Sequence, residues 1–194
     1  MQTDVIVISN GGNNMEAVLG QVDALAASQA LSPENALHLR LLAEETLALM
    51  RAITGEVDGE FWIENRGNVY ELHLKVETLI DADEREKLLS ASTTGRNEAT
   101  RGFMGRLRAF FQPSADVPVF ASGFAGGAPQ MYGDYEWSME DYREQLRQYR
   151  EQNANGAREA WDELEKSVVA HVADNVKVSI RGNSVEMILV KKLA

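Results

Sequence analysis

Apolar residues recur at two different spacings along the first part of the chain. The β-branched run DVIVIS at residues 4–9 ends in Asn10-Gly11-Gly12, which predicts a short strand and a turn. From residue 13 to about 31, Met15, Val18, Leu19, Val22 and Leu25 fall at helical spacing. Ser32-Pro33-Glu34 then supplies an N-cap, a proline for the first helical position and a first-turn acid, so a second helix is predicted over about 33–53. On that helix Leu39, Leu42, Thr46, Leu49 and Ile53 form the apolar stripe, with Glu45 and His38 at its edge. Gly55 and Gly59 break the pattern before Phe61-Trp62-Ile63, and Arg66-Gly67-Asn68 turns the chain into residues 69–77. There Tyr70, Leu72, Leu74 and Val76 alternate with Glu71, His73, Lys75 and Glu77. A period of two with charges on one side means one buried and one wet face, as in an antiparallel sheet covered by helices on one side only.

The C-terminal part repeats this style. Trp161, Leu164, Val168 and Val172 mark a helix over 157–173, and strands at 177–180 and 185–190 flank Gly182-Asn183 as a terminal hairpin. Between the two α/β parts, residues 82–155 differ in character. They hold a Gly/Thr/Arg-rich piece, a basic helix over 102–111, a loop through Gly126-Gly127-Ala128-Pro129 and a charged helix over 138–152. This span reads as a lid-like helical insertion in a single domain covering 1–194. Met139, Tyr142, Leu146 and Tyr149 line up on the charged helix. Such a stripe ordinarily docks on its own domain; the sharper alternative is that Tyr142, Leu146 and Tyr149 face a partner, since tyrosine-rich surfaces suit interfaces.

Composition narrows the classes. At 194 residues with 44% apolar positions, the chain supports one ordinary globular domain. A formal charge of −11 argues against nucleic acid, whose phosphates reward clustered Lys and Arg. The absence of cysteine removes disulfides and thiolate metal sites and fits a reducing compartment. The N-terminal segment has no basic region followed by a long apolar core, and no apolar run has membrane-spanning length. A cytoplasmic protein without membrane association is expected. His38, His73 and His171 have no acidic or histidine partner at ligand spacing along the sequence, so no metal site is expected.

The order strand, helix, helix, hairpin, insertion, helix, hairpin resembles the GHKL or Bergerat histidine-kinase-like ATPase fold, closest to its anti-sigma-factor serine kinase branch. Two segments carry the likeness, LSPENALHLRLLAEETLALMRAI and ELEKSVVAHVADNVKVSIRGNSVEMILVKKL. The resemblance implies an α+β two-layer sandwich, with a mixed, mostly antiparallel sheet and helices on one face. It puts Glu45 in the place of the family's catalytic glutamate. It also implies a bacterial regulatory protein and a protein partner resembling a sigma factor or its antagonist; a homodimer is compatible with it.

Three family positions depart from the pattern. The metal-binding Asn expected four residues after the glutamate is Leu49, which offers Mg²⁺ no hard oxygen. The adenine-binding Asp-x-Gly has no glycine here; Glu77 or Thr78 stands in its place as the available acceptor. The phosphate-binding Gly-x-Gly is replaced by Glu163-Leu164-Glu165, which presents carboxylates where backbone amides are needed. Within the insertion, Gly102 and Gly105 resemble a displaced phosphate loop. The expectation is a regulatory pseudo-ATPase with no cofactor, acting by protein–protein binding. The alternative is an ATP- and Mg²⁺-binding serine kinase with a divergent pocket and Glu45 as general base.

Overall fold

A computed structural model of the protein describes residues 1–8, 14–54, 58–77, 135–151, 157–181 and 184–193. The chain begins with strand β1 (Ile6–Ile8), then helices α1 (Met15–Ser28) and α2 (Pro33–Thr54). Ser32 caps α2 as expected, its Oγ accepting from the Asn35 amide at 3.2 Å. Between the two helices Ala30 takes a left-handed conformation (φ 49°), and the Leu31 amide reaches back to the Ala26 carbonyl at 3.0 Å. That closes α1 by the route glycine normally takes, without a glycine.

Strands β2 (Gly59–Arg66) and β3 (Val69–Glu77) form a hairpin. Gly67 at φ 68° supplies the positive φ that a two-residue hairpin loop needs. Strand β4 (Tyr135–Ser138) leads into α3 (Met139–Glu151). The remaining elements are α4 (Ala157–Lys166), α5 (Val168–Val172), β5 (Asn175–Arg181) and β6 (Ser184–Lys192). The six strands make one sheet in the order β1-β2-β3-β6-β5-β4, and every pairing among the described residues is antiparallel. The fold is α+β. No helix among the described residues is long and apolar enough to cross a membrane.

The predicted alternation decides where the core lies. Phe61 and Ile63 on β2, Tyr70, Leu72, Leu74 and Val76 on β3, and Val185, Met187 and Leu189 on β6 are all buried on one face. They share a cluster with Val18, Val22 and Leu25 of α1 and Leu39, Leu42 and Leu47 of α2. Each such aliphatic or aromatic side chain contributes about 1.5–3 kcal/mol on burial, so this shared face holds the two layers together.

The second half differs from the expectation in two places. The helix expected over 157–173 is two helices, because buried Ser167 interrupts it and caps α5, its Oγ accepting from the Ala170 amide at 3.4 Å. A serine hydroxyl competes for backbone donors and so favours a helix start over a helix interior. Residues 135–151, read from sequence as part of the insertion, belong to the body of the fold: β4 pairs with β5, and Met139, Tyr142 and Leu146 of α3 enter the core. Ser138 starts α3, its Oγ accepting from the Asp141 amide at 3.1 Å.

Candidate functional site

Helix α2 carries Glu45 half-buried at the edge of the stripe formed by Leu39, Leu42, Ala43, Thr46 and Leu47. Thr46 is accommodated inside the core because its hydroxyl donates to the Leu42 carbonyl at 2.7 Å. One turn N-terminal, Arg40 is engaged by Asp23 of α1 at 2.5 Å and by Glu44 at 3.2 Å. These pairs tie α1 to α2 on the solvent side and leave Glu45 outside them. Leu49 lies within α2, one turn after Glu45. Glu77, the adenine-acceptor candidate, is the last residue of β3 and is exposed, 4.0 Å from Lys75 Nζ. Thr78, Gly102 and Gly105 lie outside the described residues.

At the other end of the expected pocket, Glu163-Leu164-Glu165 forms the last turn of α4, just before the Ser167 cap. Glu165 is exposed and accepts from the Trp161 indole N–H at 2.6 Å, and the Arg150 guanidinium lies 5.0 Å over the Trp161 ring. A groove of about 380 Å³ runs here between Arg143, Trp161, Leu164, Glu165, His171 and Asp174. Its basic group Arg143 already donates to the Ala170 carbonyl. Of the stripe proposed for a partner, Tyr142 is 1% exposed and Leu146 is fully buried, and Trp137 packs beside Tyr142 with ring centroids 6.0 Å apart. Those two residues offer a partner no surface in this conformation; Tyr149 is half-buried.

The opposite face of the sheet gathers residues that spacing along the sequence leaves apart. Because Gly67-Asn68 is the whole loop, Arg66 pairs with Val69, Glu64 with Glu71 and Trp62 with His73. The expectation that His73 lacks acidic partners is therefore corrected: donor atoms of Glu64, Glu71 and His73 all lie within 4.8 Å of one another. Strand β6 adds Glu186, whose carboxylate accepts from His73 Nδ1 at 2.8 Å. The Trp62 indole stacks on the imidazole with centroids 4.7 Å apart and planes 11° from parallel. His38 and His171 join no such group among the described residues.

No family model matches the chain, and no curated protein matches it. Arg66 donates to Glu64 Oε2 at 2.7 Å, and this bond above all holds the Glu64 carboxyl below its ordinary value although burial acts the other way. A carboxyl whose pKa is lowered by folding adds stability that is complete above the unfolded-state value and fades as pH falls through the lower folded-state value. Urea midpoints measured across the acid range should fall with pH in the parent and fall less steeply in Glu64→Gln. The difference is small, since Arg66 is 75% exposed and water screens the pair. Superimposable acid limbs would show that Glu64 has no such role.

Proposed function

We propose that the protein is a regulatory module of the histidine-kinase-like, anti-sigma-factor-related type that works by binding another protein and has lost useful affinity for ATP. The observation that carries this reading is Glu165. It occupies the place where the resemblance calls for a bare glycine amide, it is exposed, and Trp161 holds it in position. A carboxylate there repels a triphosphate instead of donating to it. The element order and the helices layered on one sheet face support the same reading. Leu49 removes the oxygen that Mg²⁺ requires.

Losing a metal ligand and phosphate donors, at roughly 1.5–3 kcal/mol for each charged hydrogen bond, accounts for the difference between micromolar and millimolar affinity. Titration calorimetry with ATP and Mg²⁺ is expected to give a dissociation constant weaker than about 100 μM. Leu49→Asn alone should not restore binding, because the phosphate end still meets Glu165. A tighter constant in the parent would favour the serine kinase alternative, which keeps one observation in its support: Glu45, which the resemblance puts in the place of the general base, stands half-exposed on α2. For the partner, capture from the native cell by the tagged full chain should return a sigma factor or an antagonist-like regulator; nucleic acid or lipid alone as the captured species would overturn the protein-binding reading.

A further inference from the structure

We propose that Glu64, Glu71 and His73 form a site for a single divalent transition-metal ion on the sheet face turned away from the helices, with Glu186 as the carboxylate that orients the imidazole. This inference is independent of the regulatory reading above.

The decisive atom is His73 Nε2. The histidine side chain is 8% exposed, and Nε2 itself is buried and has no hydrogen-bond partner among the described residues. Buried polar atoms in folded proteins nearly always have a partner, so an orphaned one calls for a ligand. Because the Glu186 carboxylate can only accept, Nδ1 is the donor in their bond, and the tautomer that this bond selects carries its lone pair on Nε2. That nitrogen lies 3.9 Å from Glu64 Oε1, too far for a hydrogen bond even from a protonated ring. A carboxylate on one imidazole nitrogen with a free lone pair on the other is how proteins set up a metal-ligating histidine. Stacking on Trp62 fixes the plane of the ring as well.

The paired carboxylates call for a cation as well. Glu64 and Glu71 stand directly opposite each other on β2 and β3, an arrangement in which like charges repel. Arg66 takes up only Oε2 of Glu64 and is itself 75% exposed, which leaves Oε1 facing His73. A cation between the three groups removes the repulsion and satisfies Nε2 together. One imidazole with two carboxylates selects the borderline ions Zn²⁺, Mn²⁺, Fe²⁺ or Co²⁺ over Mg²⁺ and Ca²⁺, which prefer all-oxygen shells. Metal–ligand bonds of about 2.0–2.2 Å put ligands about 3–3.5 Å apart, so the donor atoms must draw together by about 1 Å. Both glutamates are only half-buried, so side-chain rotation supplies that movement. Three protein ligands leave further positions open for water or for a group on a partner.

The test is calorimetric titration of the full chain with Zn²⁺, paired with a Co²⁺ titration followed by visible absorption and tryptophan fluorescence. One Zn²⁺ per chain is expected, with a dissociation constant of about 10 μM or tighter. Glu71→Gln and His73→Gln should each weaken it at least about tenfold, and Glu186→Gln by about 10–100-fold with the three ligands intact. Trp62→Phe should keep the metal and lose the Co²⁺-dependent quenching, which separates Trp62 from Trp137 and Trp161. Circular dichroism checks each variant; if His73→Gln fails to fold, the half-buried Glu71→Gln decides between the outcomes. Zn²⁺ binding weaker than about 100 μM, or binding that Glu71→Gln and Glu186→Gln leave unchanged, overturns the proposal.

Discussion

Replacing Tyr142 with alanine is expected to destabilise the protein by about 3–5 kcal/mol, the range for deleting a large aromatic from a packed core. Tyr142 is 1% exposed, sits between Met139 and Leu146 on the buried stripe of α3, and lies beside Trp137. Its removal leaves a cavity between α3 and strands β4 and β5, against which the helix packs. Since a domain has about 5–15 kcal/mol of stability in total, this one change consumes much of it. Tyr149→Ala, at a half-buried position on the same helix, should cost under about 1 kcal/mol. Urea unfolding of the two variants checks the contrast. Equal, small losses would mean that α3 does not dock on its own sheet and that its tyrosines are free for a partner after all.

The second large effect is expected at Phe61, fully buried on β2 between Ile6 of β1 and Leu74 of β3. Phe61→Ala should again lose about 3–5 kcal/mol. Its neighbour Trp62, though larger, points to the other face and is only partly buried, so Trp62→Ala should cost clearly less. Because a one-residue slip in a strand exchanges the two faces, the comparison reports on register. A greater loss from Trp62→Ala than from Phe61→Ala, measured by the same unfolding experiment, would show the register reversed.

Which parts of this architecture could be read from the chain depends on how local each signal is. The strand over 69–77 and the final hairpin were legible because their alternation spans enough residues for the period to declare itself, and α2 because Ser32-Pro33 marks its start. Strand β4 was not, since Tyr-Glu-Trp-Ser is four residues long and is a strand only because β5 lies beside it. The break at Ser167 was hidden inside apolar spacing that runs on through both helices. The same distinction governs the sheet-face cluster. Counting back from the Gly67-Asn68 loop places Glu64 opposite Glu71 and Trp62 opposite His73, so this part of the cluster was available to register arithmetic. Reading ligand spacing along the sequence alone misses it, because a hairpin makes neighbours of residues seven apart. Glu186 was beyond such arithmetic, as it reaches His73 only through the pairing of β3 with β6.

That pairing also governs when the protein can fold during synthesis. Strands β3 and β6 are adjacent in the middle of the sheet, yet Glu77 pairs with Ser184 and Val69 with Lys192. Strands β1, β2 and β3 with α1 and α2 are translated first and can assemble locally. The inner edge of β3 then stays without its partner until on the order of 110 more residues have been made, about ten seconds at ordinary elongation rates. Closing so long a loop is also entropically costly, which places the β3–β6 contact late on the folding route. An unpaired strand edge with Leu72, Leu74 and Val76 beside it is a template for pairing with another nascent chain. A ribosome-stalled fragment ending near residue 170 should therefore aggregate or recruit chaperones, and one extended past residue 192 should not.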